Sequence, residues 1–187
     1  MLTHTLHPSL LRRRAAVAGA GFVLALALAA VTVLPSLATQ HITVDILTPR
    51  SVFTDVVDIQ VRNKLDGAAT SVANMADPSR TVVARITVQG KGQFPWHTHP
   101  GPVIVNIAEG ELVYVQANDC VERSYPVGTA FVDPGRGNVH TAYNPLDTPL
   151  VLVATFFEVP PAPAPLTITE GVIPGDCDVQ VGSHAGH

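Results

Sequence analysis

Beyond residue 40 this sequence shows almost no helical periodicity, and no stretch there is long enough to form the crossover helix that a parallel sheet needs. An α/β fold is thereby excluded. Basic residues are also scarce: 11 Lys and Arg stand against 15 Asp and Glu, for a formal charge of −4. A chain without a cationic face cannot displace counterions from a phosphate backbone, so nucleic acid is not an expected partner. Charged residues make up only 14% of the 187 positions and apolar ones 47%, the balance of a globular chain with one packed core rather than two. No internal repeat is visible. Cysteine is limited to Cys120 and Cys177.

What is present begins with a leader. Arg12, Arg13 and Arg14 precede an uncharged apolar stretch from Ala15 to Leu34, and Ser36, Leu37 and Ala38 follow with small residues at alternate positions. This is the three-part layout of a secretory signal, expected to occupy residues 1–38 and to be cleaved near Thr39. The same stretch is long enough to span a bilayer of roughly 30 Å, so retention as a membrane anchor is the alternative, and the only membrane contact expected. Either way the arginines stay on the cytoplasmic side and the rest of the chain is exported, to the cell envelope or beyond. The paired arginines leave the twin-arginine route open, although no Phe-Leu follows them. Loss of the leader takes three arginines and no acid, moving the formal charge from −4 to −7. In an exported chain Cys120 and Cys177 are expected to be bonded, since both lie in polar, turn-like surroundings, Ala117-Asn118-Asp119-Cys120 and Pro174-Gly175-Asp176-Cys177.

Period-two alternation marks the strands. Val57, Ile59 and Val61 alternate with Asp58, Gln60 and Arg62, and Val82, Ala84, Ile86 and Val88 share one face of the run from Thr81 to Val88. Val103 to Ala108 and Glu111 to Gln116 flank Glu109-Gly110 and are expected to pair as an antiparallel hairpin. Ala130 to Val132 and Leu150 to Phe157 are further strands, and Ile42 to Leu47 a weaker first one. Leu65 to Ser79 reads as a loop with a short helical turn around Ser71 to Met75, and Pro160 to Pro165 as a polyproline spacer leading away from the strands toward Cys177. Short strands separated by Gly, Pro and Asp turns predict an antiparallel sandwich or barrel.

The chemistry concentrates in Gly92-Gln93-Phe94-Pro95-Trp96-His97-Thr98-His99-Pro100-Gly101-Pro102-Val103. On an extended segment residues i and i+2 point the same way, so His97 and His99 project together, as two ligands of one ion must. Neutral imidazole suits Zn, Fe, Ni, Cu and Mn, and His140, in the turn-rich segment from Pro134, can supply a third. A His-x-His pair alone is a weak signal, because exposed histidines pair by chance.

Here the pair has company. Gly92, His97, His99 and Gly110 resemble the first cupin motif, with the spacing ahead of His97 one residue off. Gly128, Pro134, Gly137, His140 and Asn144 resemble the second, with one extra residue between Pro134 and Gly137. The resemblance spans about Thr81 to Phe157. More narrowly, His-Thr-His-Pro-Gly-Pro-Val and Phe-Val-Asp-Pro-Gly-x-Gly-x-Val-His look like a group of small exported bacterial cupins of unassigned function.

The resemblance implies an all-β cupin double-stranded β-helix, or jelly roll, with one divalent transition metal ion inside the barrel mouth on His97, His99 and His140. Together with the leader, the Pro-rich segment and the cysteine pair, this gives the expected organisation: the signal at 1–38, N-terminal strands and a loop at 39–80 packing on the barrel, the barrel at 81–159, and a Pro-rich tail at 160–187 tethered by the disulfide. The usual metal-binding glutamate is missing. Val103 or Ile104 stands there, Val103 being the expected vacancy, and the nearest acid, Glu109, lies in the turn. Three neutral histidines would leave the charge of the ion uncompensated and about three positions of a six-coordinate metal open.

Three-histidine cupins include dioxygenases of thiols, of diketones and of a hydroxylated aromatic acid. Two classes of function follow: a metal-dependent small-molecule enzyme such as a dioxygenase or isomerase, or a non-catalytic module binding a small molecule or metal outside the cell. No general acid or base beyond the distant Tyr114 is expected on the ligand face, which tells against hydrolysis. Trp96 is expected to pack away from the pocket, Asn144 to brace the turn after His140, and His184 and His187 to have no specific role. Which metal is bound, and whether the chain forms a homodimer, are left open.

Overall fold

The computed structural model describes residues 41–174 and 176–179. The expectations for residues 1–38, for Thr39 and for His184 and His187 lie outside these residues. Eleven strands and no helix make up the described chain: β1 (Ile42–Ile46), β2 (Ser51–Val52), β3 (Ile59–Asn63), β4 (Ser71–Met75), β5 (Arg80–Val88), β6 (Val103–Glu109), β7 (Glu111–Gln116), β8 (Glu122–Pro126), β9 (Ala130–Asp133), β10 (His140–Tyr143) and β11 (Leu150–Phe156). Among the described residues no helix is long and apolar enough to cross a membrane.

All pairings are antiparallel, as the alternation predicts. One sheet runs β1-β5-β11-β6-β9, with β2 also on β5; a second runs β10-β7-β8; β3 and β4 form a separate two-stranded ribbon. The core lies between the first two sheets because each inner strand turns one apolar row inward. Val82, Ala84, Ile86 and Val88 of β5, Val103, Val105 and Ile107 of β6, and Leu150, Leu152, Ala154 and Phe156 of β11 are all buried. Each such Val, Leu, Ile or Phe contributes about 1.5–3 kcal/mol by leaving water, so no single strand dominates the fold.

Three expectations are corrected. β6 and β7 do not pair with each other: β6 lies between β11 and β9, whereas β7 lies between β10 and β8. Gly110, with φ +77°, turns the chain from one sheet into the other, and a Cβ there would meet the Leu150 backbone at 3.1 Å. Residues 71–75 are strand β4 rather than a helical turn, because they find a partner in β3 (Asn63 opposite Ser71, Ile59 opposite Met75).

The Pro-rich segment, third, does not lead away from the barrel. Arg50 clamps it through Nε–H to Pro160 O (3.0 Å) and Nη2–H to Ala164 O (2.5 Å). Ile168 then exchanges backbone hydrogen bonds with Thr98, at 2.9 and 3.0 Å. Further on, Cys177 is bonded to Cys120, their Cα atoms 5.2 Å apart. The loop presenting Cys120 is held by Arg123, which is 4% exposed and donates to Asp119 Oδ2 (2.6 Å) and to Asp66 O (2.7 Å).

Candidate metal centre

His97 and His140 form a reciprocal backbone pair, each N–H donating to the other's carbonyl at 2.9 Å. Residues paired in this way carry their side chains on the same face, and His99, two residues along, shares that face with His97. His140 opens β10 at the end of the turn-rich segment. The ring centroids lie 4.1 Å (His97–His140), 4.9 Å (His97–His99) and 5.2 Å (His99–His140) apart, and one nitrogen from each ring falls within 4.8 Å of the others. All three residues are buried.

The two segments carrying them are locked together. Arg136 N–H donates to His99 O (2.8 Å) and Gly137 N–H to Thr98 Oγ1 (3.1 Å). Gly135, with φ +58°, approaches so closely that a Cβ there would sit 1.9 Å from Gly101 O, so no other residue fits.

Each imidazole has a backbone carbonyl at Nδ1: Pro95 O for His97 (2.7 Å), Leu166 O for His99 (2.9 Å) and Asn138 O for His140 (3.2 Å). A carbonyl only accepts, so Nδ1 of His97 and of His99 carries the hydrogen and Nε2 keeps its lone pair, the tautomer a metal ligand needs. His140 stands between two acceptors, with Asn138 O at Nδ1 and the Asp133 carboxylate 2.9 Å from Nε2. Burial, followed by the neighbouring His140 and His99, lowers the pKa of His97 from 6.5 to about 3. Burial likewise lowers that of His99, partly offset by Asp133. Neutral imidazoles with inward lone pairs fit a divalent ion by the chemistry of the donor set.

The histidines line a cavity of ≈ 70 Å³ with an apolar wall that includes Ile86, Leu112, Phe131, Leu152 and Phe156, and Thr167 of the tail closes part of it. Val103, the expected position of the missing glutamate, is in that wall and buried. Glu109 is exposed, as expected. Trp96 packs with Val113, Val115, Tyr143 and Val179, outside the cavity. Asn144 braces the turn after β10, its Nδ2 donating to Val88 O, Gln89 O and Thr148 O and its Oδ1 accepting from Leu146 N–H.

Tyr114 lines the cavity with its ring 5.0 Å from that of His140. Its hydroxyl accepts from Asn138 Nδ2 (2.9 Å), and burial together with Asp133 raises its pKa well above the usual phenol value, so it stays protonated.

Asp133 is the site residue that the sequence reading passed over. It ends β9 with its carboxylate inside the cavity: Oδ1 accepts from Gly135 N–H (2.8 Å), while Oδ2 lies 2.9 Å from His140 Nε2 and 3.8 Å from His99 Nε2. Burial acts to raise its pKa, while His140, through its charge and a hydrogen bond, His99 and the Gly135 N–H act to lower it to about 2. The useful signal was alternation, since Asp133 shares the inward face of β9 with Phe131, both buried. The Asp-Pro-Gly sequence suggested a turn instead.

Two antiparallel sheets closed around an interior cluster of three imidazoles define a double-stranded β-helix barrel with a candidate metal centre at its mouth. No family model matches the chain, and no curated protein does. Similar solved structures include oxalate oxidase in complex with the substrate analogue glycolate, at 26% identity over 43% of this chain and 44% of that one, with a TM-score of 0.39. Others are the polyketide cyclase RemF from Streptomyces resistomycificus (18%, 50% and 62%, TM-score 0.41) and a RmlC-like cupin from Shewanella frigidimarina (20%, 42% and 67%, TM-score 0.37). The chain spans less than half the length of the oxalate oxidases it matches. These similarities are of fold: the strand order is that of a double-stranded β-helix, and the three-histidine cluster lies inside it.

Proposed function

We propose that the protein is a metal-dependent enzyme acting on a small molecule, with one divalent transition metal ion held by the Nε2 atoms of His97, His99 and His140. The observation that carries this reading is the buried cluster of three imidazoles whose ring nitrogens lie within 4.8 Å of one another, each ring with a backbone carbonyl at Nδ1. Zn, Fe, Mn, Ni and Cu all suit these donors. Bound there, the ion would supply Lewis acidity or oxygen activation, as in an isomerase or dioxygenase.

The chain's own residues set what can react. With water occupying roughly 10–15 Å³ in this measure, a cavity of ≈ 70 Å³ takes a few water-sized groups, so the ligand end that reaches the site is small. The apolar wall favours an uncharged body, and the Tyr114 hydroxyl, accepting from Asn138, has its own proton to give to a ligand oxygen. A protein that only stores an ion has no need of such a group. The leader sequence and the Cys120–Cys177 bond support work outside the cytoplasm, with residues 1–38 as the export signal.

The test is metal analysis of untagged protein, followed by oxygen-uptake and isomerisation screens of small oxygenated acids with the loaded protein. Stoichiometric metal with turnover is expected. Metal with tight ligand binding and no turnover would identify a non-catalytic binding module instead, and no metal would overturn the reading.

A further inference from the structure

We infer that Asp133 is the fourth protein ligand of the metal centre, so that the site takes three imidazoles and one carboxylate delivered from β9. This rests on the metal reading above and extends it.

Among the described residues, Asp133 Oδ2 is the one buried side-chain nitrogen or oxygen without a hydrogen-bond partner. Buried carboxylate oxygens are rarely left so, because removing one from water costs several kcal/mol unless something compensates it. Its nearest neighbour is His140 Nε2, 2.9 Å away. Without metal a hydrogen on Nε2 holds that contact, and a cation between the two atoms would take its place. Two donors in adjacent positions on one ion, each bound at about 2.0–2.2 Å, stand about 3 Å apart, the separation seen here. His99 Nε2 lies 3.8 Å from the same oxygen.

The backbone explains how the carboxylate arrives. Val103 of β6 and Asp133 of β9 are cross-strand partners, so their side chains share the inner face of the barrel. An acid on β9 therefore reaches the space that an acid at Val103 would fill. Oδ1 is held by Gly135 N–H, and the shared loop passes directly on to His140, so Oδ2 is fixed relative to the imidazole beside it. One negative charge would leave the centre at +1 rather than +2 for a divalent ion, and one fewer position open to ligands.

The experiment compares wild type, Asp133→Asn, Val103→Glu/Asp133→Val and His140→Ala, each untagged, for metal stoichiometry, dissociation into a chelator and thermal unfolding with and without Zn. Asp133→Asn is expected to lose metal at least ~10-fold faster than wild type, and the double variant, which returns the carboxylate to β6, to regain most of that loss. Zn is expected to raise the unfolding temperature of Asp133→Asn less than that of wild type. A turn-capping role alone would lower the metal-free unfolding temperature and leave metal release unchanged, and such a result overturns the inference. If His140→Ala empties the site while Asp133→Asn holds metal as wild type does, the three-histidine centre stands and Asp133 is not a ligand. If wild type takes up no metal, both fall.

Discussion

Val103 and Asp133 face each other across β6 and β9, each 1% exposed, one closing the cavity wall with two methyl groups and the other with a carboxylate. Val103→Glu places a second acid on the cross-strand partner of the first. Without metal this variant should be destabilised by several kcal/mol, since a buried unpaired carboxylate has neither water nor a partner. With metal it should recover much of that loss. Unfolding temperatures in chelator and in excess Zn check both parts, and equal destabilisation in the two conditions would show that residue 103 does not reach the ion.

Replacing any one of His97, His99 and His140 by alanine should cut metal content at least ~10-fold, while removing His184 and His187 should leave it unchanged. Elemental analysis of untagged protein gives the answer. Metal retained after loss of His97 or His140 would remove the three-histidine centre.

Acid should destabilise the metal-free protein in a defined window. The His97 pKa is lowered from 6.5 to about 3 on folding, so between those values the unfolded chain takes up a proton that the folded chain refuses. Stability is therefore complete above pH 6.5 and declines as pH falls toward 3, by up to about 1.4 kcal/mol per pH unit for this group. Denaturant midpoints measured from pH 7 to 4 should show the slope in wild type and a shallower one in His97→Gln. Parallel slopes would assign the acid sensitivity elsewhere.

The Cys120–Cys177 bond closes a separation of 57 residues and on the chain-entropy estimate stabilises the fold by about 4 kcal/mol. Cys120→Ala/Cys177→Ala should lose up to that amount. It should also release metal faster than wild type, because the freed tail carries Leu166, whose carbonyl holds His99 Nδ1. Unfolding temperature and chelator kinetics separate the two effects. Faster unfolding with unaltered metal release would show that the tail stays docked without its bond.

The parts of this fold legible in the sequence are those that depend on one strand alone. Alternation reveals which face of β5 or β11 is buried, and His97 and His99 declare their common side by spacing. Partners are another matter. Nothing local states that β6 pairs with β11 and β9 rather than β7, because pairing is decided by how the two sheets close. β4 looked like a loop since Ala73 and Asn74 are poor strand formers by themselves, and the register with β3 overrides that preference. Asp133 was hidden for a related reason: an aspartate before Pro-Gly reads as turn chemistry unless the strand is followed one residue further.

The carbonyl of Leu166 has a consequence for timing and for where the working unit ends. All three imidazoles belong to chain made before residue 141, yet the group that orients one of them comes from a stretch made after the last barrel strand. During synthesis a barrel can close around its histidines and still hold an unfinished centre until that stretch docks. A fragment cut at the end of β11 would reproduce that unfinished state permanently, so the smallest piece worth testing for metal chemistry extends to Cys177.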